Sequence, residues 1–228
     1  MTRLIKTAMD RRAMMMGAGA GVVALAAPGC SSVPGFSLTE AVRRLLLLSS
    51  ENAFARLVQP GGFWDEQVAR LGLDNLIGAR ANVLTRVLTS NVVKGRVEAA
   101  FADVAIAGSR RAAPVVTEAV RTIGLANAVE LVRGGPRAAT QALRGELGGR
   151  LIQEMVPQLG EAIRVASDPL IAQVLGAATG ADISGVVQRL AGNIDDAVWD
   201  QIGLEESQIR ANPQSTRDPV LIGVFGLT

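Results

Sequence analysis

From Val33 onward apolar residues recur at three- and four-residue spacing, and no stretch alternates with period two, so the pattern predicts helices throughout. Ser37-Leu38-Thr39-Glu40 reads as a capping box opening a helix that runs to about Val58 and stops at Pro60-Gly61-Gly62. Its four consecutive leucines, Leu45 to Leu48, point to all sides, which predicts a helix buried on most of its surface; the alternative is a leucine left exposed for a partner or a bilayer. A short helix follows from Phe63 to Leu71, with Phe63 and Trp64 as packing anchors. Residues 79–88 predict another helix, and Ser90-Asn91 cap one over about 92–108, striped by Val93, Val97, Ala100, Phe101 and Val104.

Prolines and glycines then punctuate the pattern. Pro114 suits the first turn of a separate helix ending at Ile123-Gly124. Leu125 to Val132 predict a helix stopped by Gly134-Gly135, and Pro136 opens a longer one through Leu143, Leu147, Leu151 and Met155, which Pro157 should kink or break. Asp168-Pro169 and Asp182 cap two more, the second carrying Ile183, Val187, Leu190, Ile194 and Val198 and closing at Asn212-Pro213. A last short helix carries Val220, Leu221, Val224 and Phe225. The expectation is an all-α fold, a single compact domain over residues 37–228 with about nine or ten helices joined by short turns. Gly145, Gly148, Gly149, Gly176 and Gly185 fall inside helical segments, where each costs about 1 kcal/mol against alanine; close approach between helices is the expected return.

The first 29 residues follow a different logic and read as an export signal. Arg3, Lys6, Arg11 and Arg12 form a basic start, and Ala13 to Ala27 form an apolar stretch shorter than the roughly 20 residues a membrane span needs. Asp10-Arg11-Arg12-Ala13-Met14-Met15 resembles a twin-arginine signal; ordinary secretory export explains the same arginines. Ala27-Pro28-Gly29-Cys30 resembles the lipobox of bacterial lipoproteins, which implies diacylation of Cys30 as the first mature residue. Residues 30–36 are then a lipidated N-terminus and tether, reaching at most about 25 Å from Cys30 to Ser37. Ser31-Ser32 after the cysteine imply outer-membrane sorting in a Gram-negative host, so the expected location is exported, periplasmic and lipid-anchored.

Charge and composition change meaning once that segment is set aside. The whole chain carries +2, but four of its 23 basic residues and one of its 21 acidic ones precede Cys30, which leaves −1 beyond it. No basic footprint for nucleic acid remains. The chain has no histidine, which excludes Ser-His-Asp and Cys-His catalysis and His-ligated zinc, and its one cysteine cannot form an internal disulfide. Asp195-Asp196 and Glu205-Glu206 are adjacent pairs that diverge by about 100° on a helix, so a solvated face or helix cap is the expectation. Arg43-Arg44 and Arg110-Arg111 are either contacts to anionic head groups or surface arginines, paired or solvated; the second is expected. Lys94, the one lysine past the signal, lies beside no obvious nucleophile. No catalytic residue, metal site or cofactor is expected.

Several blocks carry a resemblance. Gly35-Phe36-Ser37-Leu38-Thr39-Glu40-Ala41, Gly134-Gly135 with Ala138-Ala139-Thr140 and Leu143-Arg144, Pro157, Glu205-Glu206 with Ile209-Arg210 and Asn212-Pro213, and Val224-Phe225-Gly226 resemble the bacterial family called domain of unknown function 4197. The resemblance covers about residues 35–226 and is strongest in the Glu-Glu to Asn-Pro block. The stretch from Phe101 to Pro114 lacks the Asn-Arg-Ala-Ala-Glu block and proline-containing segment usual in members, and family tyrosines are missing. The family implies an exported, often lipid-anchored helical protein and no established activity. Glu206 and Arg210, four apart, are expected to pair along the helix. The reading is a non-enzymatic envelope protein acting by binding or assembly, held to membrane lipid through Cys30, with an envelope protein as partner and an exposed apolar patch near the first helix. The alternatives are a carrier of an apolar ligand or lipid, which calls for a closed apolar cavity, and a histidine-free enzyme, which calls for convergent carboxylates of strongly raised pKa.

Overall fold

The computed structural model describes residues 37–77, 90–125, 127–165 and 183–226. The chain divides into two units between Pro34 and Gly35, and all described residues lie in the second. Among them are α1 (Leu38–Leu57), α2 (Phe63–Leu71), α3 (Leu73–Ile77), α4 (Asn91–Thr122), α5 (Ala128–Arg133), α6 (Ala138–Leu147), α7 (Arg150–Val165), α8 (Ile183–Ala211), a 3-10 turn (Pro213–Thr216) and α9 (Pro219–Phe225), with no strand. The all-α expectation therefore holds. The export segment, Cys30, the 79–88 helix, Gly176, and the Asp168 and Asp182 caps lie outside the described residues.

Four longer helices enclose the core. α1 packs on α8 and α4, and α7 packs on α4 and α8. The leucine run sits at the centre: Leu45 and Leu46 are fully buried, and Leu47 and Leu48 are partly buried against the same core. Burial on most sides, not an exposed leucine, is what the run encodes. α2 is pinned to α4 by Trp64, whose Nε1–H donates to Ser109 Oγ at 2.9 Å while that hydroxyl donates to the Ala105 carbonyl at 2.9 Å. Both side chains are buried, so the indole polar edge is satisfied where water cannot reach it.

Local signals set the helix ends. Ser37 Oγ accepts the Glu40 N–H at 3.0 Å, and Ser90 Oγ accepts the Val93 N–H at 3.3 Å. The Glu40 carboxylate does not complete the box: it turns to Arg44 at 2.8 Å and Arg43 at 3.7 Å. Asp218 caps α9, accepting from the Val220 and Leu221 N–H groups.

Two expected breaks are absent, and for one reason. α4 runs unbroken through Pro114, and α7 through Pro157. Val97, Phe101, Ala105, Ala112, Val116 and Val120 form one buried stripe on α4, and Leu151, Met155, Leu159 and Ile163 do the same on α7. Both prolines lie on the exposed side of their helix, where water can take the carbonyl left without a donor. An interior proline costs about 3 kcal/mol, and burying two further turns of a stripe, at about 1.5–3 kcal/mol per large side chain, outweighs it.

The real break falls at Gly148, between α6 and α7, with φ +52° and ψ −132°, a backbone conformation side chains do not tolerate. The expected close approaches at Gly145, Gly148 and Gly149 are not there: a Cβ at each would meet open space. A tight contact between core helices is instead at Gly108, where a Cβ would come within 2.8 Å of Ile194 Cδ1 and 3.0 Å of Leu159 Cδ2, both on buried residues.

Candidate functional site

α8 carries a row of acidic residues into the interior, and the arginines that meet them set the geometry of the domain. Of the two adjacent carboxylate pairs only Asp196 stands on a solvated face. Asp195, Glu205 and Glu206 are buried, Glu206 completely. What the sequence could not supply was their partners on other helices.

Glu206 and Arg210 form the innermost group. Arg210 Nε and Nη2 each lie 2.8 Å from Glu206 Oε1, the expected pairing along the helix. Each then reaches a different helix end. Glu206 accepts from the Ala139 N–H at 3.0 Å, the Thr140 N–H at 2.7 Å and the Thr140 hydroxyl at 2.6 Å, so its negative charge caps the first turn of α6. Arg210 donates to the Val132 carbonyl at 2.9 Å and the Leu131 carbonyl at 2.7 Å, the last turn of α5. Anion at an N-terminus and cation at a C-terminus both follow the helix dipole. The Arg210 guanidinium also lies 4.8 Å from the Phe225 ring centre, which ties in α9. One ion pair thus clasps the Gly134-Gly135 turn from both sides and holds four helices together.

A second clasp lies nearer the start of α8. Arg144 Nη2 on α6 meets Asp195 at 2.9 Å and also Asp196, so these neighbours do converge, on one guanidinium. Asp195 also accepts the Trp199 Nε1–H at 2.9 Å. Burial pushes the Asp195 carboxyl above its ordinary 3.8, against the Trp199 and Arg144 hydrogen bonds, which pull it down. The folded state therefore holds this proton at a higher pH than the unfolded chain does, and stability from this group falls as pH rises through the window just above 3.8. D195N should flatten that slope, read as the urea midpoint at half-unit steps from pH 4 to 6; an unchanged slope refutes the assignment. Asp218 has the opposite sign: burial raises it, but the Val220 and Leu221 N–H groups and Arg44 bring it below 3.8.

Glu205 completes the row. Arg56 Nη2 of α1 stands 2.9 Å from its Oε1 without a well-directed hydrogen bond. The two arginine doublets part company: Arg44 binds Glu40 and Asp218, whereas Arg110 and Arg111 are exposed on α4 beside a cleft. Lys94 lies 3.6 Å from Glu98, four residues along the same helix. Among the described residues no group of three or more His, Cys, Asp or Glu is placed to hold a metal. Arg11, Arg12 and the Ala27-Pro28-Gly29-Cys30 segment lie outside the described residues.

The family model for a protein of unknown function, DUF4197, matches residues 33–226. The chain belongs to the DUF4197 family. Three of the blocks by which the sequence resembles DUF4197 meet in space at the Glu206–Arg210 clasp, through Ala139 and Thr140, through Glu206 and Arg210 themselves, and through Phe225. The Glu-Glu…Ile-Arg-x-Asn-Pro block is thus accounted for here by helix-end satisfaction. Four-residue spacing made Glu206–Arg210 and Asp195–Trp199 findable in the sequence; Thr140, Arg144 and the α5 carbonyls carry no such signal. No curated protein and no solved structure matches the chain.

Proposed function

We propose that this DUF4197 protein is an exported, lipid-anchored domain of the cell envelope that acts by binding or assembly. The observation that carries the reading is positional: the chain's only cysteine follows an apolar stretch with a basic start and stands three residues before the family-matched region begins at residue 33. Supporting it, the buried acidic residues of α8 face arginines and helix ends, so the charge that reaches the interior is engaged in holding helices together. Among the described residues no helix is long and apolar enough to cross a membrane. The domain would sit within about 25 Å of the bilayer through its short tether.

Among the described residues the exposed large apolar ones are Leu38, Val92, Val129 and Ile183, on four different helices. Intact-mass analysis of protein extracted from membranes tests the anchor. The expected species begins at Cys30 with a diacylglyceryl group, and Cys30→Ala should move the chain out of the membrane fraction. A membrane-extracted chain with unmodified Cys30 would overturn the proposal.

A further inference from the structure

Of the two arginine doublets among the described residues, one is consumed by the fold and one is not. Arg43 and Arg44 lie against Glu40, and Arg44 also binds Asp218. Arg110 and Arg111 have no described partner, and both stand at the rim of an open cleft of about 500 Å³ between α4 and α7. The floor is apolar: Gly108 and Leu159, both buried, lie at its base with Ala107 and Ala162 beside them. Glu161, the one carboxylate in the lining, already has an interaction of its own. The cleft therefore offers two uncommitted guanidiniums above a strip of small and aliphatic side chains.

This combination has a narrow chemical meaning. Guanidinium forks match phosphate and carboxylate oxygens, and are strongest where a neighbouring apolar surface excludes water. Residue 108 adds no side chain to the floor, and a Cβ there would clash with Ile194 and Leu159, so glycine is what this packing requires. A volume of about 500 Å³ lies in the range of small-molecule sites and suits part of a lipid, not a macromolecule. We propose that the α4/α7 cleft binds an anionic amphiphile, with a phosphate head group on Arg110 and Arg111 and the first part of an acyl chain over Gly108 and Leu159. Charge complementarity and the apolar floor select this occupant. The inference does not depend on acylation of Cys30.

The test is photo-crosslinking of the full chain with lysophosphatidylglycerol bearing a diazirine in its acyl chain. Label should appear on peptides spanning 107–111 and 158–162. The double substitution R110Q/R111Q should reduce it at least tenfold, while R121Q/R133Q, which removes the same charge elsewhere, leaves it unchanged. Any uptake by the apolar stretch at 13–27 is common to all three proteins and cancels in the comparison. Helical circular dichroism and melting of R110Q/R111Q should match the parent, because glutamine keeps the helix propensity and no described contact is lost. No label on 107–111 and 158–162, equal labelling there of R110Q/R111Q, or equal labelling there by a lysophosphatidylcholine analogue would overturn the proposal. So would full competition by inorganic phosphate at equal concentration, which would mark a free-phosphate site.

Discussion

Substituting Glu206 by Gln is expected to destabilise the domain by about 3–5 kcal/mol, the usual cost of breaking a buried ion pair from one side. The reason is the number of groups that depend on one carboxylate. Glu206 has no exposed surface, and the Arg210 side chain it meets is only 10% exposed. With the charge gone, Arg210 keeps a buried cation facing the α5 carbonyls, and the first turn of α6 loses the anion that its Ala139 and Thr140 N–H groups share. For a domain of this size each kcal/mol moves the melting temperature by about 2–4 °C, so a fall near 10 °C is expected. The structure also predicts non-additivity. R210M should be costly alone, yet E206Q/R210M should fall short of the sum by about 0.5–3 kcal/mol, since the second substitution removes a charge the first has stranded. A loss below 1 kcal/mol in E206Q, or strict additivity, would show that the clasp does not hold the helices together.

Trp64→Ala is expected to cost a similar amount, about 3–5 kcal/mol, for an apolar reason. Trp64 is 1% exposed and is the main anchor of a nine-residue helix. Removing the indole leaves a void against α4 and takes the Nε1–H away from Ser109. Trp64→Phe separates the two contributions. It keeps most of the volume, and Ser109 still donates to Ala105, so a loss of about 1–2 kcal/mol is expected. Chemical denaturation of both variants checks the ordering. Equal losses would mean that the hydrogen bond, and not the packing, fixes α2.

The exposed prolines teach the same lesson from the other side. In a single sequence Pro114 reads as the start of a new helix and Pro157 as a kink or break, because a proline lacks the donor a helix interior needs. Whether a helix stops depends on whether its buried stripe continues, and that depends on neighbours. α7 and α1 lie along α4, so the stripe past Pro114 stays covered and the helix stays whole. The glycines show the converse. Gly148 was legible as a helix weakener, but its positive φ, the feature that ends α6, is a property of the turn the packed helices require.

The sequence by itself determined the fold class, most helix starts and the pairing of Glu206 with Arg210, because capping, amphipathic periodicity and four-residue spacing act within a few turns of one segment. It also placed the family, since the ordered blocks survive in the chain whatever their spatial meaning. Only the tertiary structure decided that Asp195, Glu205 and Glu206 are buried, that Arg144 joins two adjacent aspartates, and that one arginine doublet is spent while the other lines a cleft. Charge burial depends on partners 51 or more residues away in the chain, as far as Arg56 is from Glu205. The free energy that permits it comes from those partners, and no local pattern records where they will be.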